Sequence, residues 1–244
     1  MDKTIGIIYY TDNRLDGSQI LKESQKTILA SGLPIVSCSL KPIDFGKNIV
    51  LEEELRSYPT MCKQILTALE NIDTDYVFFC EHDVLYHSSH FNFIPPRDDI
   101  YYYNVNNFRW WFGHDKAISY DELTSLSSLC CNRRLAIEHY KYRLKHIEEL
   151  GLDKIRSREP RWARRFGYEP GTKKIKNGGI TDEEHIKRKS EFPNIDIRHH
   201  GTFSAPKISL ESFKHKPTNW REININEIPG WIYQSSFPQE QRCF

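Results

Sequence analysis

The first eighty residues of the chain alternate between two hydrophobic periods. Thr4 to Tyr10 (T-I-G-I-I-Y-Y) is a continuous apolar, β-branched run of strand length. Ser18 to Ser31 then places Ile20, Leu21, Ile28 and Leu29 on one stripe at helical spacing, with Gly32 set for a C-cap and Pro34 beyond it. Pro34 to Leu40 reads as a second strand. Ser57 is placed as an N-cap with Pro59 in the first turn of a helix reaching about Ile72. Asp75 to Cys80 is a third buried strand, and it stops at Glu81-His82-Asp83. Strands that are apolar throughout are covered on both faces, so the order strand, helix, strand, helix, strand predicts an α/β fold with parallel strands and helical crossovers. In such sheets ligands bind beyond the carboxyl ends of the strands. Thr11-Asp12-Asn13 and Glu81-His82-Asp83 are the polar residues at two of those ends.

The pattern then changes. Ile100 to Trp111 predicts one long aromatic strand, and Arg133 to Leu150 a helix. Residues 151–190 read as loops with short helices, Ile195 to His199 as a short strand, and 201–244 as a Pro-punctuated tail wrapped over the core. At 244 residues the chain is long enough for a sizeable core. No apolar run reaches the ~18 residues of a membrane span. The start, Met1-Asp2-Lys3-Thr4, lacks the pattern of a signal peptide, which sets the expectation of a cytoplasmic protein, the host cytoplasm if it is viral. The six cysteines form no C-x-x-C pair, so zinc ribbons and dithiol redox motifs are not expected, and reduced thiols are. Neither G-x-x-x-x-G-K-[ST] nor G-x-G-x-x-G occurs, which disfavours P-loop and dinucleotide-binding enzymes.

The formal net charge is +1, which excludes a globally basic nucleic-acid-coating protein. The stretch from Arg133 to Lys189 nonetheless holds 17 basic and 9 acidic residues. Such an excess suits a nucleotide or a polyanionic acceptor, and equally a solvated helical surface. Glu81 and Asp83 at i and i+2 project to one side if the strand geometry continues past Cys80. Oxygen ligands of that kind suit Mn²⁺ or Mg²⁺.

A strand D-Y-V-F-F ending in E-H-D after a β-α-β-α-β start resembles the D-x-D signature of nucleotide-sugar glycosyltransferases of the GT-A fold. Gly167-Tyr-Glu169-Pro-Gly171 looks like that fold's acceptor-side acidic motif, and Pro193-Asn-Ile-Asp-Ile-Arg-His199 like the late strand that returns a histidine to the metal. The E-H-D run and the P-N-I-D-I-R-H run also look like small stand-alone glycosyltransferases of phage and uncultured-microbe type. The match differs in having Glu81 where the motif has its first Asp, and E-P-G in place of E-D.

The resemblance implies a GT-A-like Rossmann-type mixed sheet flanked by helices over residues 1–200, with a nucleotide-sugar half (1–110), an acceptor half (111–200) and a C-terminal extension (201–244). It implies Asp83, Glu81 and His199 or His200 at a Mn²⁺ or Mg²⁺ ion. Tyr9, Tyr10, Thr11, Asn13, Glu81 and Asp83 would lie around a donor nucleotide, uridine-linked by that analogy, with one of the two tyrosines facing the base and the other the core. Glu169 is the candidate general base, with Asp115 and Glu159 as rivals. Arg109, Trp110, Trp111 and Arg133 are the candidate acceptor or sugar contacts. The expected partners are a nucleotide-sugar donor and a hydroxyl acceptor, either a hydroxymethylated base in DNA or a glycan. No obligate protein partner is expected. The competing classes are a non-catalytic nucleic-acid-binding module and a metal-dependent nucleotidyltransferase.

Overall fold

The computed structural model describes residues 3–52, 54–121, 123–151, 170–172, 185–202 and 207–231. The first half follows the hydrophobic pattern: β1 (Ile5–Thr11), α1 (Gln19–Leu29), β2 (Ile35–Ser39), β3 (Lys47–Val50), α2 (Tyr58–Asn71) and β4 (Tyr76–Glu81). The Ser18 hydroxyl caps α1 by accepting from Leu21 N at 3.2 Å, and Ser57 caps α2 by accepting from Thr60 N at 3.1 Å. Gly32 takes φ +67 after α1, where a side chain would be strained. The chain continues through β5 (Val84–Leu85), β6 (Tyr101–Asn104), β7 (Asn107–Trp111), β8 (Lys116–Ser119), β9 (Leu129–Asn132), α3 (Arg133–Glu149), β10 (His185–Arg188), β11 (Asn194–Arg198) and β12 (Arg221–Asn224).

The larger sheet has the order β10-β6-β9-β4-β1-β2-β3. Strands β3, β2, β1 and β4 are parallel, and β9 runs antiparallel between β4 and β6. Ile8, Tyr10, Val77 and Phe79 pack on one face with Ile65 and Leu69 of α2 and Tyr140 of α3. Ile7, Tyr9, Phe78 and Cys80 pack on the other with Ile28 of α1 and Phe45. Two buried faces are why these strands carry no polar alternation. The smaller sheet has the order β12-β8-β7-β11-β5, with Phe108, Trp110, Ile195 and Ile197 in its core. The fold class is the expected one, a Rossmann-type mixed α/β sheet flanked by helices. Among the described residues no helix is long and apolar enough to cross a membrane.

Three expectations change. Ile100 to Trp111 is two strands in two sheets. The joint is made of asparagine amides: Asn104 Oδ1 accepts from Asn106 N and Ser190 N at 3.1 Å each, and Asn107 Nδ2 donates to the Asn104 carbonyl at 2.5 Å. These side chains satisfy backbone groups that a continuing ladder would have paired. Within 151–190, residues 185–188 form a strand parallel to β6. Beyond residue 200, β12 pairs antiparallel with β8, and Ile225 and Ile228 enter the second core.

Candidate active site

A cleft of about 640 Å³ opens beyond the carboxyl ends of β1 and β4, walled on its far side by the smaller sheet. Its floor is set by the turn that follows β4. Glu81 is the last strand residue, and the chain turns at His82 and Asp83 before β5. Ser24 Oγ donates to the carbonyls of Glu81 (3.2 Å) and Val84 (2.8 Å) on either side of the turn. The Glu81 N–H donates to Tyr86 OH at 2.9 Å, and the Ile197 N–H to the Asp83 carbonyl at 2.8 Å. The last of these brings the end of β11 beside Asp83.

Glu81, His82 and Asp83 all line the cleft, but Glu81 is not among the residues that converge. Asp83, His82 and His199 converge, with one potential ligand atom from each lying within 4.8 Å of the others. His199 Nε2 is 3.5 Å from Asp83 Oδ2. His82 Nδ1 and His199 Nε2 are both buried atoms with no hydrogen-bond partner. Burial works to raise the Asp83 pKa, but the contact with His199 and the charges of His82 and Arg198 outweigh it and hold the carboxyl below its usual range. Glu81 instead accepts from Tyr10 OH at 2.5 Å. Its burial, with the neighbouring Asp83 charge, raises its pKa well above that of an ordinary carboxyl.

The donor set fits a divalent transition cation: two imidazoles and one ionised carboxylate. The Gly201 N–H points at His199 Nδ1 at 3.0 Å, so a neutral ring keeps its proton on Nε2, towards Asp83. Offering the Nε2 lone pair to a cation moves that proton to Nδ1 and gives up the Gly201 contact. His200 is exposed, its ring edge-on to Trp111 at 5.3 Å, so His199 is the histidine that faces Asp83.

The other expected residues divide between cleft and scaffold. Tyr10 and Thr11 line the cleft. Tyr9 is in the core against Phe45, ring centroids 4.7 Å apart, because alternate side chains of β1 face opposite ways. Asn13 is taken up in the scaffold: its Oδ1 accepts from Leu40 N at 2.8 Å and Lys41 N at 3.0 Å. Arg109 lines the cleft, 3.4 Å from Asp196, and donates to Tyr120 OH at 2.6 Å. Trp110 is buried in the second core, and Trp111 faces a smaller surface groove with His114 and Lys116. Asp115 is exposed in the β7–β8 turn and is not part of the cleft wall.

Arg133 corrects the acceptor-side assignment. Strand β9 is antiparallel to β4, so its end, where Arg133 begins α3, lies at the opposite end of the sheet from the cleft. There Arg133 Nε donates to the Thr74 carbonyl at 2.9 Å and Nη1 approaches the Leu69 carbonyl at 3.5 Å. Glu169 and Glu159 lie outside the described residues.

The cleft also contains residues the sequence pattern did not single out. Asp12 pairs with Arg56, whose Nη2 donates to the Gly201 carbonyl at 3.1 Å. Asp196 pairs with Arg198. The polar–apolar alternation of N-I-D-I-R in β11 was the available signal for Asp196 and Arg198, since both must face away from Ile195 and Ile197. No comparable signal marks Tyr120 or the Thr124 to Ser127 wall.

No family model matches the sequence, and no curated protein matches it. Among solved structures, the chain is similar to a glycosyltransferase involved in the glycosylation of the major capsid of PBCV-1, with a TM-score of 0.43 and 11% identity over 76% of this chain and 82% of that one. At that similarity the neighbour carries no argument about activity.

Proposed function

We propose that the chain is a cation-dependent glycosyltransferase that moves a sugar from a nucleoside diphosphate, uridine diphosphate first, to a hydroxyl acceptor. The support is the convergence of Asp83, His199 and His82 at the carboxyl end of β4, within a cleft of nucleotide-sugar size. When bound there, the cation supplies Lewis-acid neutralisation of the leaving diphosphate.

The chain's own groups have separable tasks in this reading. Asp83, kept ionised by its basic neighbours, holds the cation. Tyr10, Thr11 and Asp12, at the end of β1, flank the nucleoside. Arg109, fixed by Asp196 and Tyr120, presents a cation to the sugar side of the cleft. Glu169 is the proposed base that takes the acceptor proton as the hydroxyl attacks.

The test is nucleoside-diphosphate release from a panel of nucleotide sugars with Mn²⁺. It is run alone, with DNA carrying hydroxymethylated bases, and with simple glycans. Release that needs Mn²⁺ and rises with one acceptor class identifies both the reaction and the substrate. Asp83→Asn is expected to lower turnover by at least ~10²-fold while leaving the circular dichroism spectrum unchanged. Full turnover by that variant removes the proposal. Pyrophosphate release in place of nucleoside diphosphate would reassign the chain as a nucleotidyltransferase.

A further inference from the structure

The resemblance places Glu81 beside Asp83 at the cation, whereas in the structure Glu81 accepts from Tyr10 and is outside the converging group. The residue between them, His82, belongs to that group. We infer that His82 is the third protein ligand of the cation site, so that the site binds a transition-metal ion by itself, before and without any nucleotide. This rests on the cation reading above and specifies its ligand set.

Three observations carry it. The turn at 82–83 presents adjacent side chains to one point, which an extended strand could not do. That turn is braced: Ser24 Oγ donates to the carbonyls on both sides of it, and Ile197 N donates to the Asp83 carbonyl at 2.8 Å. His82 Nδ1 is buried without a partner, and a ligand atom of His82 lies within 4.8 Å of those of Asp83 and His199. The His82 imidazole beside the Asp83 carboxylate and the His199 ring completes a donor set that a transition cation can use.

The chemistry follows from the donor set. A site with one carboxylate and solvent or phosphate oxygens would accept Mg²⁺ readily. Two imidazoles shift the preference to Mn²⁺ and further to Co²⁺, in the general order of divalent affinities. Three protein ligands also leave positions open for diphosphate oxygens, so the nucleotide adds to a preformed centre instead of assembling it.

The experiment uses the 244-residue chain, free of any tag, with no nucleotide present. Mn²⁺ is titrated by electron paramagnetic resonance, following loss of the free-ion signal, and Mg²⁺ and Co²⁺ compete against it. The expected result is one Mn²⁺ site that Co²⁺ displaces readily and Mg²⁺ displaces only at ~10²-fold or greater excess. His82→Asn is expected to weaken Mn²⁺ binding at least about tenfold, and Glu81→Gln to leave it unchanged. A second readout needs no variant: the Co²⁺-loaded wild type should show two hyperfine-shifted exchangeable imidazole N–H signals.

Equal Mn²⁺ affinity in wild type and His82→Asn, or a single imidazole signal in the wild type, overturns the inference. The outcomes separate it from the proposed function. Mn²⁺-dependent sugar transfer without nucleotide-free Mn²⁺ binding keeps the transferase and removes His82. A His82-dependent Mn²⁺ site with no turnover of any nucleotide sugar keeps His82 and removes the transferase.

Discussion

Asn13 tests whether the end of β1 is built as described. It takes φ +61, a left-handed conformation, and its side chain links the loop after β1 to the loop after β2. Its Oδ1 accepts two backbone N–H groups, Leu40 at 2.8 Å and Lys41 at 3.0 Å, while Nδ2 donates to Asp16 Oδ2 at 3.1 Å. Asn13→Ala deletes these bonds. Leu40 is half-buried and Lys41 exposed, so each lost bond is worth about 0.5–1.5 kcal/mol and not a full desolvation penalty. Holding alanine in the left-handed region adds about 1 kcal/mol. Over the three bonds and the backbone the total is about 2.5–5.5 kcal/mol. Asn13→Gly removes the backbone part and should be about 1 kcal/mol less destabilised than the alanine variant. Asn13→Asp keeps both accepted bonds, loses the donor and sets a carboxylate against Asp16; it should be the mildest of the three and should improve with salt. Urea unfolding monitored by tryptophan fluorescence orders the series. The reasoning fails if alanine and glycine variants are equally stable. It also fails if all three variants match the wild type in stability and lose only nucleotide affinity, because Asn13 would then be a donor contact and not a brace.

Two further perturbations address the scaffold around the cleft. Burial first, and then the charge of Asp83, push the Glu81 carboxyl up to about 8 from an ordinary value of 4.5. The folded chain therefore keeps a proton that the unfolded chain has released, so the stability associated with it is complete below pH ~4.5 and is lost as pH rises towards 8. Glu81→Gln still accepts from Tyr10 and has no such proton. In EDTA its melting temperature should equal that of the wild type near pH 4.5 and exceed it increasingly up to pH 8; a difference that does not vary with pH contradicts the assignment. Arg133→Ala should lower unfolding free energy by about 1–2 kcal/mol through loss of its carbonyl contacts, with nucleotide binding unchanged in calorimetry, and a selective loss of binding would return Arg133 to the site.

The first half of the fold was legible because its signals are local. Ile7, Tyr9 and Phe78 face one core and Ile8, Tyr10 and Phe79 the other, so the strands are apolar runs, and Ser18 and Ser57 mark helix starts by their own side chains. The split of Ile100 to Trp111 was not legible for the opposite reason. The aromatic run is unbroken in character, and the groups that end β6 include Ser190, 86 residues from Asn104. Strand β3 was hidden by being a short, half-exposed edge whose only partner among the described residues is β2.

The site shows the same division between residue type and direction. Glu81-His82-Asp83 was recognisable as a polar end to a buried strand. Which of the three side chains would meet His199 depended on a turn braced by Ser24, Tyr86 and Ile197, none of them neighbours in that triplet. Arg133 is the instructive inverse. A cation opening a helix conflicts with the helix dipole, and that conflict is a sound signal that the side chain has a partner. The partner it finds is the last turn of α2, where the Leu69 carbonyl lies and where the dipole favours positive charge. The unfavourable end of one helix is thus matched to the favourable end of another, across a junction that only the antiparallel placement of β9 creates. Local electrostatics can say that an arginine is committed; the strand direction decides to what, and here it commits Arg133 to the end of the sheet away from the chemistry.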